Sequence, residues 1–442
     1  MGALYRLYCQ PQELLMNIET KKQTPMLKVL SILDFRLLWI GSATSILGDQ
    51  FAFIATPWLV LQLTNDPLIL GIVLALEGIP RAVFILIGGA ITDRFSPRTI
   101  MIVSDVVRMI LTGLMAAVIF TGTIQIWMLY VFGLAFGLVA GFAIPASNSI
   151  VPMLVAEEDL QAGNSVSMGT TQLVSFIGPT IAGIVIAGYA QSPIGVALAF
   201  TIDAVSFAVS ALMLWLIRAG RNRAGHSQEE SVWSSIGTGL RYLWNEAGLR
   251  FMFIVVTFTN FLFVGPLLVG IPVLAAQRLP EGAVAFGLLT SAYAGGNLVG
   301  YLLAGSLPRP TGRGLTIFVV GLVCAFGLVL IAFGWVSTTW IDFALMLLIG
   351  VGNGYIAILM FTWIQQRTPR EMLGRMMSML LLSNIGLTPV SQAVAGVVSK
   401  WNLTGLFFSA GGLMVILSVW MFTQPALRSL SESMVKPSNE AA

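Results

Sequence analysis

Asp93, Arg94 and Arg98 fall together in the short loop GGAITDRFSPR (88–98), between two long apolar runs. Gly89, at the head of that loop, lets a neighbouring helix come close. Asp93 can accept hydrogen bonds at a helix end, and Arg98 can bridge to a carboxylate on a facing helix. Such a cluster can lock two groups of helices together on one side of a membrane and release them on the other. A second set of ionisable residues lies within the apolar runs themselves: Asp49, Glu77, Arg81 and Asp203. A charge at a bilayer centre costs about 2.5–3.5 kcal/mol even on insertion scales, so each is a candidate for substrate or proton binding. Glu77 and Arg81 are four apart with the acid first, the better order for a pair on one helical face. A self-neutralising structural pair and a functional pair are both open. Asp49 has no partner in its own run and must find Arg81, water or a proton. Asp203 has the same choice, or a hydrogen bond from Ser206 or a neighbouring helix. Asp105 and Arg108 follow the loop. They could extend Asp93 and Arg98 into a charge relay, or sit solvated at a helix end. In the C-terminal half the mid-run polar residues are neutral, and Tyr293, Asn297 and Asn353 are the candidates to orient the bulk of a substrate.

The elements that must hold these residues are set by composition. Hydrophobic residues make up 57% of the 442 and charged residues only 10%, against about 25% charged in a soluble domain. The net charge of +3 gives no reason to expect a nucleic-acid partner. Two cysteines, Cys9 and Cys324, and a single histidine, His226, leave no disulfide framework and no metal site to expect. No G-x-x-x-x-G-K-[ST] phosphate loop occurs, so no nucleotide drive is encoded in this chain. No cofactor and no nucleophile–base set is expected, and therefore no enzyme.

A helix needs roughly 20 apolar residues to cross the hydrocarbon core. Twelve such spans are expected, at 36–63, 68–91, 98–121, 125–150, 163–189, 194–217, 251–276, 284–306, 314–335, 339–364, 375–399 and 402–424. Of 23 Lys and Arg, only Arg278 and Lys400 fall in the loops of one side, and the positive-inside rule then puts both termini in the cytoplasm. Glu157, Glu158 and Asp159 are an exception in sign on the basic side. The fold expected is all-α: a cytoplasmic arm (1–34), a six-helix bundle (35–217), a cytoplasmic linker (218–250), a second six-helix bundle (251–425) and a tail (426–442). Within the linker, VWSSIGTGLRYLW (232–244) reads as an amphipathic helix lying at the membrane interface.

The two halves repeat. Residues 70–98 align without a gap against 286–314, so that Gly71 matches Gly287 and Gly89 matches Gly305. A second echo pairs IGPTIAG (177–183) with LTPVSQAVAG (387–396). Parallel repeats of this kind place a substrate site between them near the bilayer midplane. The charged loop is degraded in its second copy, where Arg309 answers Asp93 and Gly314 answers Arg98.

The loop GGAITDRFSPR resembles the one between the second and third helices of the major facilitator superfamily. Gly89, Asp93, Arg94 and Arg98 carry the likeness, and one of the basic residues that commonly close that loop is missing. The resemblance covers about residues 30 to 425. LGDQ (47–50), LTNDPLILG (63–71), DVVR (105–108), GPTIAG (178–183) and IDAVSF (202–207) are similar to the branch that holds enterobactin exporters and macrolide efflux proteins. This implies a secondary transporter of the inner membrane that works as a monomer by alternating access. It would export small amphiphilic molecules (drug, macrolide or siderophore) in exchange for protons. A lysophospholipid flippase of the same fold, and a non-transporting membrane sensor, are the alternatives.

Overall fold

A computed structural model describes residues 24–92, 96–189, 192–218, 243–308, 312–368 and 383–424, with positions 237, 241, 310 and 376. Two short capping segments aside, it is a set of long apolar helices. After α1 (Pro25–Ser31) come α2 (Leu33–Thr64), α3 (Pro67–Thr92), α4 (Pro97–Phe120), α5 (Ile126–Leu154), α6 (Leu160–Ala187) and α7 (Ile194–Leu216). The second half holds α8 (Ala247–Gly265), α9 (Ile271–Arg278), α10 (Ala283–Ser306), α11 (Gly312–Trp335), α12 (Thr339–Arg367), α13 (Thr388–Trp401) and α14 (Leu403–Thr423). Among the described residues eleven helical stretches are long and apolar enough to cross a membrane. The remaining expected span, 375–399, is described only at position 376 and from residue 383 on, and its second part is α13.

The other eleven expected spans each meet a helix or helical run within a few residues, because length and apolarity alone fix a crossing segment. Large apolar side chains on the outer faces, such as Val103, Leu114, Leu302, Ile317 and Val419, are more than half exposed, as lipid-facing positions are. The chain is an all-α integral membrane protein. One span is not a plain helix: Gly265 and Pro266 lead α8 into a wider π turn (Pro266–Gly270) before α9. A proline cannot donate to the preceding turn, and such bulges relieve the loss.

Contacts sort the helices by half. In the first, α2 and α4 pack on α7, α3 packs on α5, and α6 leans on α2; in the second, α10 packs on α12, α11 on α14, and α8 on α13. The α10–α12 contact is tight because Gly296 and Gly300 lie against Gly350 and Gly354, where an added Cβ would overlap backbone. Small residues four apart are how membrane helices approach without a hydrophobic drive between them. The halves touch each other mainly through two pairs, α3 with α13 and α6 with α10.

Both seams lie at the ends of those helices away from the basic loops. A Cβ on Gly71 would stand 2.9 Å from the Gly396 Cα, and one on Gly183 would stand 3.2 Å from the Val284 Cα. Lys400 closes the same end with a 2.6 Å ion pair to Asp66. At the opposite end Lys28 of α1 bridges Glu158 and Asp159 at 2.8 and 2.9 Å, so the acidic exception on the basic side has a cation of its own.

Candidate functional site

Between the halves lies a cavity of about 710 Å³, inside the roughly 300–1,000 Å³ range of small-molecule sites. Its walls run from Pro57, Leu74 and Phe286 near the seams to Ser42, Ser147 and Tyr301 toward the basic end. Its charged lining residues are Asp49, Glu77, Arg81, Asp105 and Arg108, all from the first half. The second half contributes Thr290, Tyr293, Asn297, Tyr301 and Gln392, all neutral.

Glu77 and Arg81 do pair, the guanidinium donating to Glu77 Oε1 one turn back on α3. Asp49 projects from α2 with its side chain 37% exposed to the cavity and finds Arg108, not Arg81, as its nearest cation, at 4.0 Å. The Arg108 guanidinium lies over the rings of Phe136 and Phe207, 5.2 and 5.4 Å from their centroids. Cation–π contact of this kind holds a guanidinium in apolar surroundings without a full counter-charge. Asp105, one turn before Arg108 on α4, accepts a 2.6 Å hydrogen bond from Ser210 of α7. Arg81 Nε, Arg108 Nε and Gln392 Oε1 are buried without hydrogen-bond partners.

The structure regroups the sequence candidates. Asp105 and Arg108, expected to prolong the charged loop, line the cavity, because their phase on α4 turns them to α2 and α7. Asp93 and Arg94 lie outside the described residues, as do Arg309, the N-terminal arm to residue 23 and most of the linker helix. Gly89 falls in the last turns of α3. Arg98 reaches α7: its Nε donates to Leu214 O at 2.8 Å and an Nη to Trp215 O at 2.7 Å. These are carbonyls at the end of a helix, where unsatisfied acceptors and the negative end of the dipole favour a cation.

Asp203 is fully enclosed on α7 and does not line the cavity. Ser206 does not serve its carboxylate, since its hydroxyl donates to the Asp203 backbone carbonyl at 2.7 Å. Tyr293 and Asn297 stand on the cavity wall as expected from their half. Asn353 does not. It lines a second, mostly apolar cavity of about 300 Å³ inside the C-terminal half. Its amide donates to Asn297 Oδ1 at 2.8 Å, so it acts on the wall only through that residue. Gln392 was not singled out by sequence reasoning, although a glutamine in an apolar span is itself a signal. Asp342, in the first turn of α12, is fully buried.

Two halves of long apolar helices around a central polar cavity define a membrane transport protein. The profile of the Major Facilitator Superfamily matches residues 38–387, and the chain belongs to that family; it is a transporter and not an enzyme. It is 24% identical over 419 residues to the enterobactin exporter EntS of Salmonella typhimurium, covering 92% of this chain and 95% of that protein. It is 22% identical over 274 residues to the macrolide efflux protein A of Streptococcus pyogenes, covering 62% of this chain and 66% of that one. Among solved structures, a peptide transporter POT bound to alafosfalin superposes with a TM-score of 0.70 at 14% identity, covering 91% and 96% of the two chains. A bacterial homologue of the iron transporter ferroportin in an inward-facing state gives 0.65 at 18% identity, covering 88% and 99%.

Proposed function

We propose that this chain exports small amphiphilic molecules of the drug, macrolide or siderophore class across the inner membrane, by alternating access and in exchange for protons. The observation that carries the reading is the two-faced cavity, with five ionisable residues on the N-terminal wall and neutral polar residues on the other. The charged wall meets the polar end of a substrate and handles the proton, while Tyr293, Asn297 and Gln392 orient the rest. Asp49 and Glu77 are the carboxyls that face the cavity beside a cation each could exchange for a proton. The likeness to an enterobactin exporter and a macrolide efflux protein supports the direction and the size of cargo.

With both termini in the cytoplasm, the seams Gly71–Gly396 and Gly183–Val284 and the Lys400–Asp66 pair close the outer side, and the cavity reaches toward the inner one. The bundles are residues 35–217 and 251–425, each a rigid body, and one chain suffices. The loop 88–98 closes the inner side in the opposite state.

The test is efflux from proteoliposomes of a small panel of macrolides, catecholate siderophores and cationic dyes, with and without an imposed pH gradient. Gradient-driven movement of at least one class should fall in Asp49→Asn or Glu77→Gln. Wild-type proton dependence in both variants would move coupling elsewhere, and no gradient dependence in the parent protein would end the antiport reading.

A further inference from the structure

One acidic residue in this bundle has no role in lining the cavity and no partner to explain its burial. Asp203 is 0% exposed, and neither carboxyl oxygen has a hydrogen-bond partner. It faces Gly48 of α2, where an added Cβ would stand 2.7 Å from Asp203 Oδ1. The charged groups that act on it are Asp49 from α2 and Arg108 from α4. Asp105, on the same face of α4, is held by Ser210. The third helix against α7 is α6, and its sequence carries no ionisable residue.

Around Asp203, at the middle of α2, α4 and α7, there are thus three carboxyls, Asp49, Asp105 and Asp203, and one guanidinium, Arg108; Arg98 is engaged by carbonyls at the far end of α7. One positive charge cannot neutralise three negative ones in an apolar interior. An isolated ionised carboxylate there is so costly that it takes up a proton instead. Asp49 stands 4.0 Å from Arg108 and is open to the cavity, and Asp105 receives a donor. Only Asp203 has neither exposure to the cavity nor a donor.

We infer that Asp203 carries a proton in this conformation and is an occluded proton-binding site behind Gly48, separate from the substrate cavity. The inference rests on the antiport reading for its use but not for its existence. In exchange, the O–H bond of Asp203 breaks and one forms on Asp49. The proton changes carboxyl, the negative charge moves the opposite way, and the net charge of the group is unchanged. The Arg108 guanidinium, held between Phe136 and Phe207 and not locked to Asp49, can follow the charge. A proton is thereby delivered to a carboxyl open to the cavity without water reaching Asp203.

Infrared spectroscopy of the purified full-length protein reads the protonation directly. At neutral pH a protonated-carboxyl C=O band should be present, be lost in Asp203→Asn, shift in Asp203→Glu and persist in Asp49→Asn. A band that is absent from the parent protein, or untouched by both substitutions at position 203, overturns the inference. Loss in Asp203→Asn counts only with substrate binding retained; otherwise the shift in Asp203→Glu decides. In proteoliposomes, Asp203→Asn should keep substrate counterflow and lose accumulation driven by a pH gradient. Wild-type accumulation in that variant would remove Asp203 from coupling. A band at Asp203 in a protein whose transport ignores pH would sink the antiport reading and leave the proton site standing; proton-driven transport without the band would do the reverse.

Discussion

Gly71 and Gly396 meet backbone to backbone across the seam between the halves, with a Cβ on the first 2.9 Å from the Cα of the second. Their counterparts in the internal repeat, Gly287 and Gly183, make the other seam, where a Cβ on Gly183 would stand 3.2 Å from the Val284 Cα. The repeat therefore specifies two equivalent seams, each from one glycine of each half, and both close the same end of the cavity. Gly71→Ala should oppose that closure. Overpacking costs about 1–3 kcal/mol, a shift of roughly 5–150-fold between states. Thiol reagents added from the outside should label Cys at positions 66 and 400 faster in this background, and unchanged labelling would show that the seam does not gate.

The Asp66–Lys400 pair adds a charge to the same closure. Burial works against the Asp66 carboxylate, but the hydrogen bonds from Lys400 and the Leu68 N–H, with the Lys400 charge, hold its pKa below the usual carboxylate value. A depressed carboxyl pKa stabilises the closed state above its open-state value, about 3.9, and the stabilisation is lost as pH falls through the lower value. At neutral pH the pair is fully formed and, being partly exposed, is worth about 0.2–1 kcal/mol. Asp66→Asn should loosen the outer closure slightly at pH 7 and make no difference at strongly acidic pH. An equal effect at both would rule out the ion pair as its cause.

Arg98 ties the start of α4 to the last carbonyls of α7. Arg98→Ala should cripple transport in proteoliposomes while leaving the melting profile close to that of the parent. Arg98→Lys should restore only part, because an ammonium cannot reproduce a planar fork that reaches two carbonyls at once. Arg313→Ala, in the degraded second copy, should cost much less. Comparable losses at 98 and 313 would mean that the two loops are not specialised.

Cysteines at positions 77, 293 and 353 separate the two cavities. Substrate should protect Glu77→Cys and Tyr293→Cys from a water-soluble maleimide. Asn353→Cys, inside the C-terminal half, should gain no such protection. Protection at 353 with none at 293 would move the substrate into the smaller cavity.

The spans and the repeat were legible in the sequence because both are properties of one strand of residues: the length of an apolar run, and a fixed spacing between similar runs. The lopsided distribution of charge was legible for the same reason. What a single sequence does not contain is the rotation of each helix about its axis. Asp105 and Arg108 read as loop neighbours from their position, yet the phase of α4 turns them toward Asp49 and Ser210. Asn353 is grouped with Tyr293 in the sequence, but its place on α12 sets it against Asn297 and in the smaller cavity. Arg108, and not Arg81, answers Asp49, because the partner is set by how α2 packs on α4 and α7. Gly48 looked like any other glycine of a membrane helix until α7 was placed against it.

The uneven cavity also has a meaning for how such a protein can change over generations. Among the described residues every ionised group on the cavity wall belongs to one half of the chain, while the other half lines it with neutral groups alone. Substitutions at Thr290, Tyr293 or Gln392 can alter the accepted cargo without touching a single charge of the N-terminal wall. New cargo can be acquired in one half of the polypeptide while the other stays under constraint. Variants selected for altered cargo should therefore collect in α10 and α13, and leave α2, α3 and α4 as they are.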